Sequence, residues 1–497
     1  MQLSMLLDMA ADGYGDRVVV GRRADGLTAV QLRDLAAGGA AALTGAGADA
    51  LVYLATAGPA FPVALFAAAR AGVPLVPLNY RLGGEQLESL LSNHPGAYVI
   101  ADPSYNDVAQ ARVTTVVTPE QWLATAKELA NEGDVADTDA PAVLIYTSGT
   151  TSAPKGVLLR HHNLVSYVLG SVEFGSAEPE HAAIVCLPPY HIAAVANAIT
   201  NLYAGRRCVT LPSFSPEEWL ATVCEENVTN ALVVPTMLAR IMAADVDRAV
   251  PSLRTLAYGG AAMPLAVIER ALAEWPQVAF ANAYGLTETS STIAVLGPED
   301  HRLAFGADDA TMRARLGSVG RPLPGVDIEI RDADGAGVPP GQVGRIWVRG
   351  EQVSGEYAGS GPMVDAAGFF DTRDEGYFDE SGYLFVKGRA DDTIIRGGEN
   401  IAPAEIEDVL LRHECVADVA VLGVPDEEWG QRIEAVCVLR PGAETDGESL
   451  RAYVRSLLRS SKTPDRIVFW PELPRTETGK LIRRDLVERL RAVPHAE

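Results

Sequence analysis

The stretch Tyr146-Thr-Ser-Gly-Thr-Thr-Ser-Ala-Pro-Lys-Gly-Val157 packs hydroxyl and glycine residues more densely than a surface turn requires, and it restricts what this chain can become. Upstream, Pro141-Ala-Val-Leu-Ile-Tyr146 is a short apolar run of strand type. A loop that leaves a buried strand end is where α/β proteins commonly place ligands. Gly149 and Gly156 allow close main-chain approach, and Thr147, Ser148, Thr150 and Thr151 offer hydroxyl donors. Lys155 adds a positive charge that needs no bidentate geometry. Together these are the parts of a phosphate-binding loop, with a Ser/Thr-rich surface turn as the plainer reading of the SGTT tetrapeptide alone. The order departs from the Walker pattern, because Pro154 precedes the lysine and apolar Val157-Leu-Leu follows it. A standard P-loop NTPase is therefore disfavoured.

A chain of 497 residues exceeds what one hydrophobic core usually supports, so two or three lobes are expected. Lys+Arg 41 against Asp+Glu 65 gives a formal charge of −24, which argues against a nucleic-acid-binding surface and against electrostatic docking on anionic lipid. Solubility accounts for the acidity, and anionic ligands must be met locally. The five cysteines, at 186, 208, 224, 415 and 437, lack CxxC spacing and suggest buried free thiols rather than zinc ligands or a disulfide framework. The N-terminus has no basic segment followed by a sustained apolar core, and no later apolar run reaches spanning length. The expectation is a cytoplasmic protein without an integral membrane segment.

Up to about residue 140, helical stretches alternate with short apolar runs, as in Leu27–Ala37 followed by Ala50-Leu-Val-Tyr-Leu-Ala55. Phe61–Gly72 reads as a small-residue helix ended by glycine, Val73–Asn79 as the strand after it, and Asn79-Tyr-Arg81 as a strand-end turn. His161-His-Asn-Leu begins a helix, and the adjacent histidines lack a nearby third ligand, which disfavours a metal site. Leu253-Arg-Thr-Leu-Ala-Tyr-Gly-Gly-Ala-Ala-Met-Pro264 is a strand entering a diglycine turn and then a helix. Gly341–Gly350 shows β alternation, and Phe369–Gly382 reads as a turn-rich hairpin region. Residues 392 to 497 carry the strand and helix patterns of a small α/β unit.

Taken in order, the phosphate loop, Leu187-Pro-Pro-Tyr-His-Ile-Ala-Ala-Val195, the diglycine turn, Asn282-Ala-Tyr-Gly-Leu-Thr-Glu288, Gly388-Arg-Ala-Asp391 and Pro474-Arg-Thr-Glu-Thr-Gly-Lys480 resemble the adenylate-forming superfamily. That superfamily contains acyl- and aryl-CoA synthetases, adenylation domains of peptide synthetases, and luciferases. The resemblance runs from about residue 20 to about residue 485. It implies an α/β fold with a large multi-lobed N-terminal domain over residues 1–388, a hinge at 389–391, and a small mobile C-terminal α/β domain over 392–497.

The resemblance also assigns roles. His191 lies on the acyl-pocket wall beside the substrate carboxylate, and Ala193, Ala194, Ala196 and Ala198 leave volume there for a roomy apolar acyl site, although helix propensity alone explains the same alanines. Gly259, Gly260 and Ala261 flank adenine, Tyr284 stacks on it within Asn282-Ala283-Tyr284-Gly285, Thr287 meets the α-phosphate, and Glu288 holds Mg²⁺. A divalent ion there suits the chemistry, since it takes carboxylate and bridging phosphate oxygens as pyrophosphate leaves. Asp374 grips the ribose hydroxyls and Arg389 reaches the ribose, while Asp391 absorbs the hinge rotation. Lys480 is the lysine of the first half-reaction, and Gly398 and Glu399 belong to a segment that turns towards a thiol tunnel in the second.

The implied activity is AMP-forming ligation of a fatty or aryl carboxylic acid to coenzyme A, with ATP and Mg²⁺. A separate carrier protein's phosphopantetheine is the alternative acceptor, and a catalytically decayed nucleotide-binding scaffold is the alternative of another class. Three departures stand out. Arg373 replaces the usual glycine of Thr-Gly-Asp, where it either crowds the ribose or supplies an extra phosphate contact; Gly355–Pro362 matches its counterpart poorly; and Ser152 stands where glycine is common.

Overall fold

Two large sheets share one apolar interior, and the composition of their strands explains why. Leu51–Leu54, Leu75–Pro77 and Tyr98–Ala101 are apolar along their whole length, as strands covered on both faces must be. They pair in parallel with one another, with Thr115–Val117 and with Pro141–Thr147. The eight-stranded sheet runs in the order 361–362, 356–357, 155–160, 141–147, 75–77, 51–54, 98–101, 115–117. The nine-stranded sheet runs 321–322, 291–296, 279–286, 255–259, 230–233, 182–185, 207–210, 18–20, 27–28. The computed structural model describes residues 1–130, 135–136, 138–147, 154–396, 399–426, 429–476 and 481–492.

The helices Ala60–Ala71, His161–Ser171 and Ile192–Ala204 contribute Phe66, Leu164, Val168, Val195 and Ile199 to a single core. That core also takes Leu51, Val143 and Ile145 from the first sheet and Val19 and Val20 from the second. Helix Ala60–Ala71 is apolar around almost its whole circumference, which is the pattern of a buried helix rather than a surface one. It ends where expected, at Gly72, whose φ of +74° closes the last turn. The expected helix at Leu27–Ala37 is real but starts at Ala29, after Thr28 caps it by accepting the Gln31 N–H.

A four-stranded antiparallel sheet follows, formed by Asp327–Arg331, Gly344–Arg349, Phe370–Phe378 and Leu384–Arg389. Beyond it, the hairpin Ile394–Arg396 and Glu399–Ile401 leads into a three-stranded sheet of 416–426, 430–439 and 466–469. Helices Pro403–Leu411, Gly447–Leu457 and Arg483–Ala492 accompany that sheet. The two apolar clusters of this last region draw only on residues from Ile394 to Leu490. Among the described residues, no helix is long and apolar enough to cross a membrane.

Candidate active site

The phosphate loop departs from the strand Pro141–Thr147 and returns into Lys155–Arg160, and the two strands pair with Thr147 opposite Lys155. The Thr147 hydroxyl donates to the Lys155 carbonyl at 3.4 Å. Ser148, Gly149, Thr150 and Thr151 lie outside the described residues. The Lys155 ammonium stands 5.8 Å from the centre of the Tyr357 ring. The lysine also lines a cleft of about 440 Å³, within the range of small-molecule sites, together with Tyr146, Gly156, Tyr357 and Arg373.

Thr287 and Glu288 occupy a short 3₁₀ turn between the strands Ala279–Leu286 and Ser291–Leu296. The turn is tight enough to require glycine at 285, because a Cβ there would sit 1.7 Å from the Ser291 carbonyl oxygen. It also forces Ser290 and Ser291 to φ values of +56° and +108°. Such strain persists only where surrounding contacts over-determine it. Here Gln352 supplies them: its side-chain amide donates to the carbonyls of Thr289 and Thr292 at 3.0 and 2.7 Å, and its carbonyl accepts the Ser290 hydroxyl at 2.8 Å. The Glu288 carboxylate accepts the Tyr357 hydroxyl at 2.8 Å. Burial and then the Glu288 charge push the Tyr357 hydroxyl well above its ordinary range, so it stays protonated and donates. A carboxylate held in this way, with the Thr287 hydroxyl next in sequence, is an oxygen-donor set that suits Mg²⁺.

Asp374 is 7% exposed and paired on both oxygens. Tyr284 donates to Oδ2 at 2.7 Å, and Arg389 Nε lies 3.0 Å from Oδ1 across the antiparallel pair Asp374–Arg389. Burial, reinforced by the Asp374 charge, pushes the Tyr284 hydroxyl far up, which fixes it as a donor. The structure thus gathers three residues that the sequence placed around one nucleotide. The Asn282 amide donates to the Ser318 carbonyl at 2.9 Å, and the side chain is buried. Ala283 pairs with Gly259 between neighbouring parallel strands, and Gly260 and Ala261 continue from that strand end, Gly260 with a φ of +81°.

His191 precedes helix Ile192–Ala204, and its ring lies 4.7 Å from that of Tyr190, which meets Tyr80 edge-on at 5.2 Å. The alanines after it divide between surroundings. Ala194 and Ala198 border an apolar cavity with Leu187, Pro189, Phe61 and Leu202, whereas Ala196 packs in the main core and Ala193 against the core of the second sheet. The adjacent histidines serve local structure: His161 Nδ1 accepts the Leu3 N–H at 3.1 Å, and His162 contacts the Asn163 amide at 3.1 Å. Gly398 and Lys480 lie outside the described residues, as do the side chains of Asp391 and Glu399.

Residues 7–358 match the family model described as AMP-binding enzyme. The chain belongs to that family. Residues 405–480 match the model of the AMP-binding enzyme C-terminal domain. Among curated relatives of this AMP-binding enzyme, a feruloyl-CoA synthase of Amycolatopsis sp. is 34% identical over 460 residues, covering 89% of each chain. The fatty acid–[acyl-carrier-protein] ligase ScoC of Streptomyces coeruleorubidus is 32% identical over 464 residues, covering 89% of this chain and 86% of its own. The o-succinylbenzoate-CoA synthetase MenE of Bacillus subtilis, solved with an acyl-adenylate intermediate, superposes with a TM-score of 0.85 at 29% identity, covering 97% of both chains. The fold is that of adenylate-forming enzymes, with mixed α/β sheets and a small C-terminal domain.

Tyr357 and Gln352 are the site residues that sequence reading of this AMP-binding enzyme missed. Both fall in or beside the segment 355–362 that matched its counterpart poorly, so the motif order carried no signal for them. Tyr357 enters the site because Glu356–Tyr357 adds to the eight-stranded sheet beside Val157.

Proposed function

We propose that this AMP-binding enzyme is an ATP-dependent acid–thiol ligase that activates a carboxylic acid as its acyl adenylate and transfers the acyl group to coenzyme A. The observation that carries the reading is a convergence. The ends of the phosphate loop, the Glu288–Tyr357 pair and the Tyr284–Asp374–Arg389 cluster come from three separated regions of the chain, 147–155, 284–288 and 357–389, and the cleft beside Lys155 is lined by residues of the first and third.

In the first half-reaction a carboxylate oxygen attacks the α-phosphorus of ATP, the bond to the β-phosphate oxygen breaks, and pyrophosphate leaves. Thr287 and Lys155 meet charge on the phosphates, Asp374 with Arg389 orients the ribose, and Lys480 holds the two mutually repelling anions together. Mg²⁺ on Glu288 would withdraw charge from the departing phosphates. In the second half-reaction the thiol attacks the acyl carbonyl and AMP departs. The two steps cannot share one geometry, so residues 389–391 serve as a hinge between a domain ending at 388 and one beginning at 392, and rotation at Asp391 exchanges Lys480 for the Gly398-Glu399 segment.

A second acceptor, the phosphopantetheine of a separate carrier protein, is favoured by one relative whose name specifies acyl-carrier-protein ligation. The test is incubation with ATP, Mg²⁺, CoA and a panel of short, long, aromatic and dicarboxylic acids, read by mass spectrometry. Acyl-CoA and AMP in equal amounts are expected with at least one class of acid. Adenylate without thioester would transfer the reading to a carrier protein. ATP binding without adenylate from any acid would favour a decayed scaffold.

A further inference from the structure

We propose that Arg373 determines specificity for the polyphosphate: its guanidinium and the Lys155 ammonium form two cationic walls of one cleft that receives the β- and γ-phosphates of ATP and the pyrophosphate that leaves. This rests on the adenylating function proposed above.

The backbone is the first indication. Arg373 has a φ of +61°, the left-handed region that glycine occupies freely and an arginine does not. The strain is held in place by Asp371, whose Oδ1 accepts the Arg373 N–H at 2.8 Å. A bulky residue kept in such a conformation at a site points to a use for its side chain.

Its direction excludes one of the two uses open from the sequence. Asp374 turns inward, buried against Tyr284 and Arg389, whereas Arg373 is exposed and lines the cleft with Pro154, Lys155 and Tyr357. The arginine therefore lies away from the carboxylate assigned to the ribose and beside the downstream end of the phosphate loop.

Its charge is the third indication. Each of the other four arginines of this four-stranded sheet pairs with a carboxylate: Arg331 with Asp365, Arg345 with Asp371, Arg349 with Asp327 and Arg389 with Asp374. Among the described residues, neither Arg373 nor Lys155 forms an ion pair, in a chain with 65 acidic residues against 41 basic ones. Two cations without carboxylate partners, facing one cleft, call for an anion. Tyr357 links them to the metal candidate, since Lys155 stands over its ring, its hydroxyl binds Glu288, and the Arg373 charge reaches that hydroxyl. A planar guanidinium suits the paired oxygens of a phosphate, and a site of this kind discriminates a polyphosphate from a monophosphate.

The test compares wild type with Arg373→Gly, which relieves the backbone strain, and with Arg373→Lys, which keeps charge but not the fork. Affinities for ATP, AMP and inorganic pyrophosphate are measured by titration calorimetry without any acid, alongside melting temperature. In Arg373→Gly, affinity for ATP and for pyrophosphate should fall about tenfold, while AMP affinity stays within about twofold and the melting temperature does not fall. Arg373→Lys should lie between. An unchanged ratio of ATP to AMP affinity in Arg373→Gly overturns the proposal. Failure of wild-type adenylation would count against the proposed function, whereas the binding ratio decides the role of Arg373 independently.

Discussion

At the scale of single residues, the hydrogen bond from Tyr357 to Glu288 orients the carboxylate proposed to hold a divalent ion. Tyr357→Phe removes only the hydroxyl and leaves the ring under Lys155. A hydrogen bond to a charged group is worth about 1.5–3 kcal/mol, so adenylation should slow at least about tenfold. The Mg²⁺ concentration for half-maximal rate should rise with it, as magnesium titration of the initial rate will check; an unchanged titration would remove Tyr357 from this role. The contrast with its neighbours shows what the sequence can carry. Thr147 and Lys155 stand out in a string whose residue types together suit a phosphate, whereas Tyr284, Glu288 and Asp374 stand out only through motifs that resemble the adenylate-forming superfamily. Tyr357 and Gln352 act on Glu288 and Thr289 from 69 and 63 residues away, and no local pattern records a contact across that separation.

Elements are held to one another by equally specific contacts. The first helix, Ser4–Tyr14, is joined to helix His161–Ser171 by the Leu3 N–H, which donates to Nδ1 of a histidine only 7% exposed. Burial, with smaller contributions from the N-terminal ammonium and His162, pushes the His161 imidazole down to about 4. The neutral ring is therefore favoured in the folded chain. Its stabilisation is complete above the ordinary histidine value of about 6.5 and is lost progressively as pH falls from there to about 4. His161→Asn keeps an acceptor that does not titrate. The melting temperature of wild type relative to this variant should be constant above about pH 6.5 and should decline below it. Parallel curves across that window would contradict the assignment. Strand positions were readable because strands buried on both faces are continuous apolar runs, but their order was not, since such runs offer no face by which to choose a neighbour. The pairing of Val18–Val20 with Arg207–Thr210, almost 190 residues away, is one that such runs do not reveal.

The whole molecule brings a cleft-forming region and a separate C-terminal unit into one chain. The apolar clusters after Ile394 include no residue from the preceding sheets, which supports assigning the lysine-bearing segment to a unit able to move as one. Where the two parts meet, the Thr393 hydroxyl donates to the Glu375 carboxylate at 3.0 Å. This assembly is proposed to make an acyl adenylate. The most direct measurement is acid-dependent exchange of labelled pyrophosphate into ATP by wild type and by Lys480→Ala, both confirmed as folded by their melting curves. Exchange should require a carboxylic acid and Mg²⁺ and should fall at least about a hundredfold in the variant, as when a residue positioning charge in the transition state is removed. Exchange of equal rate in Lys480→Ala, or its absence in wild type with every class of acid despite measurable ATP binding, would contradict it.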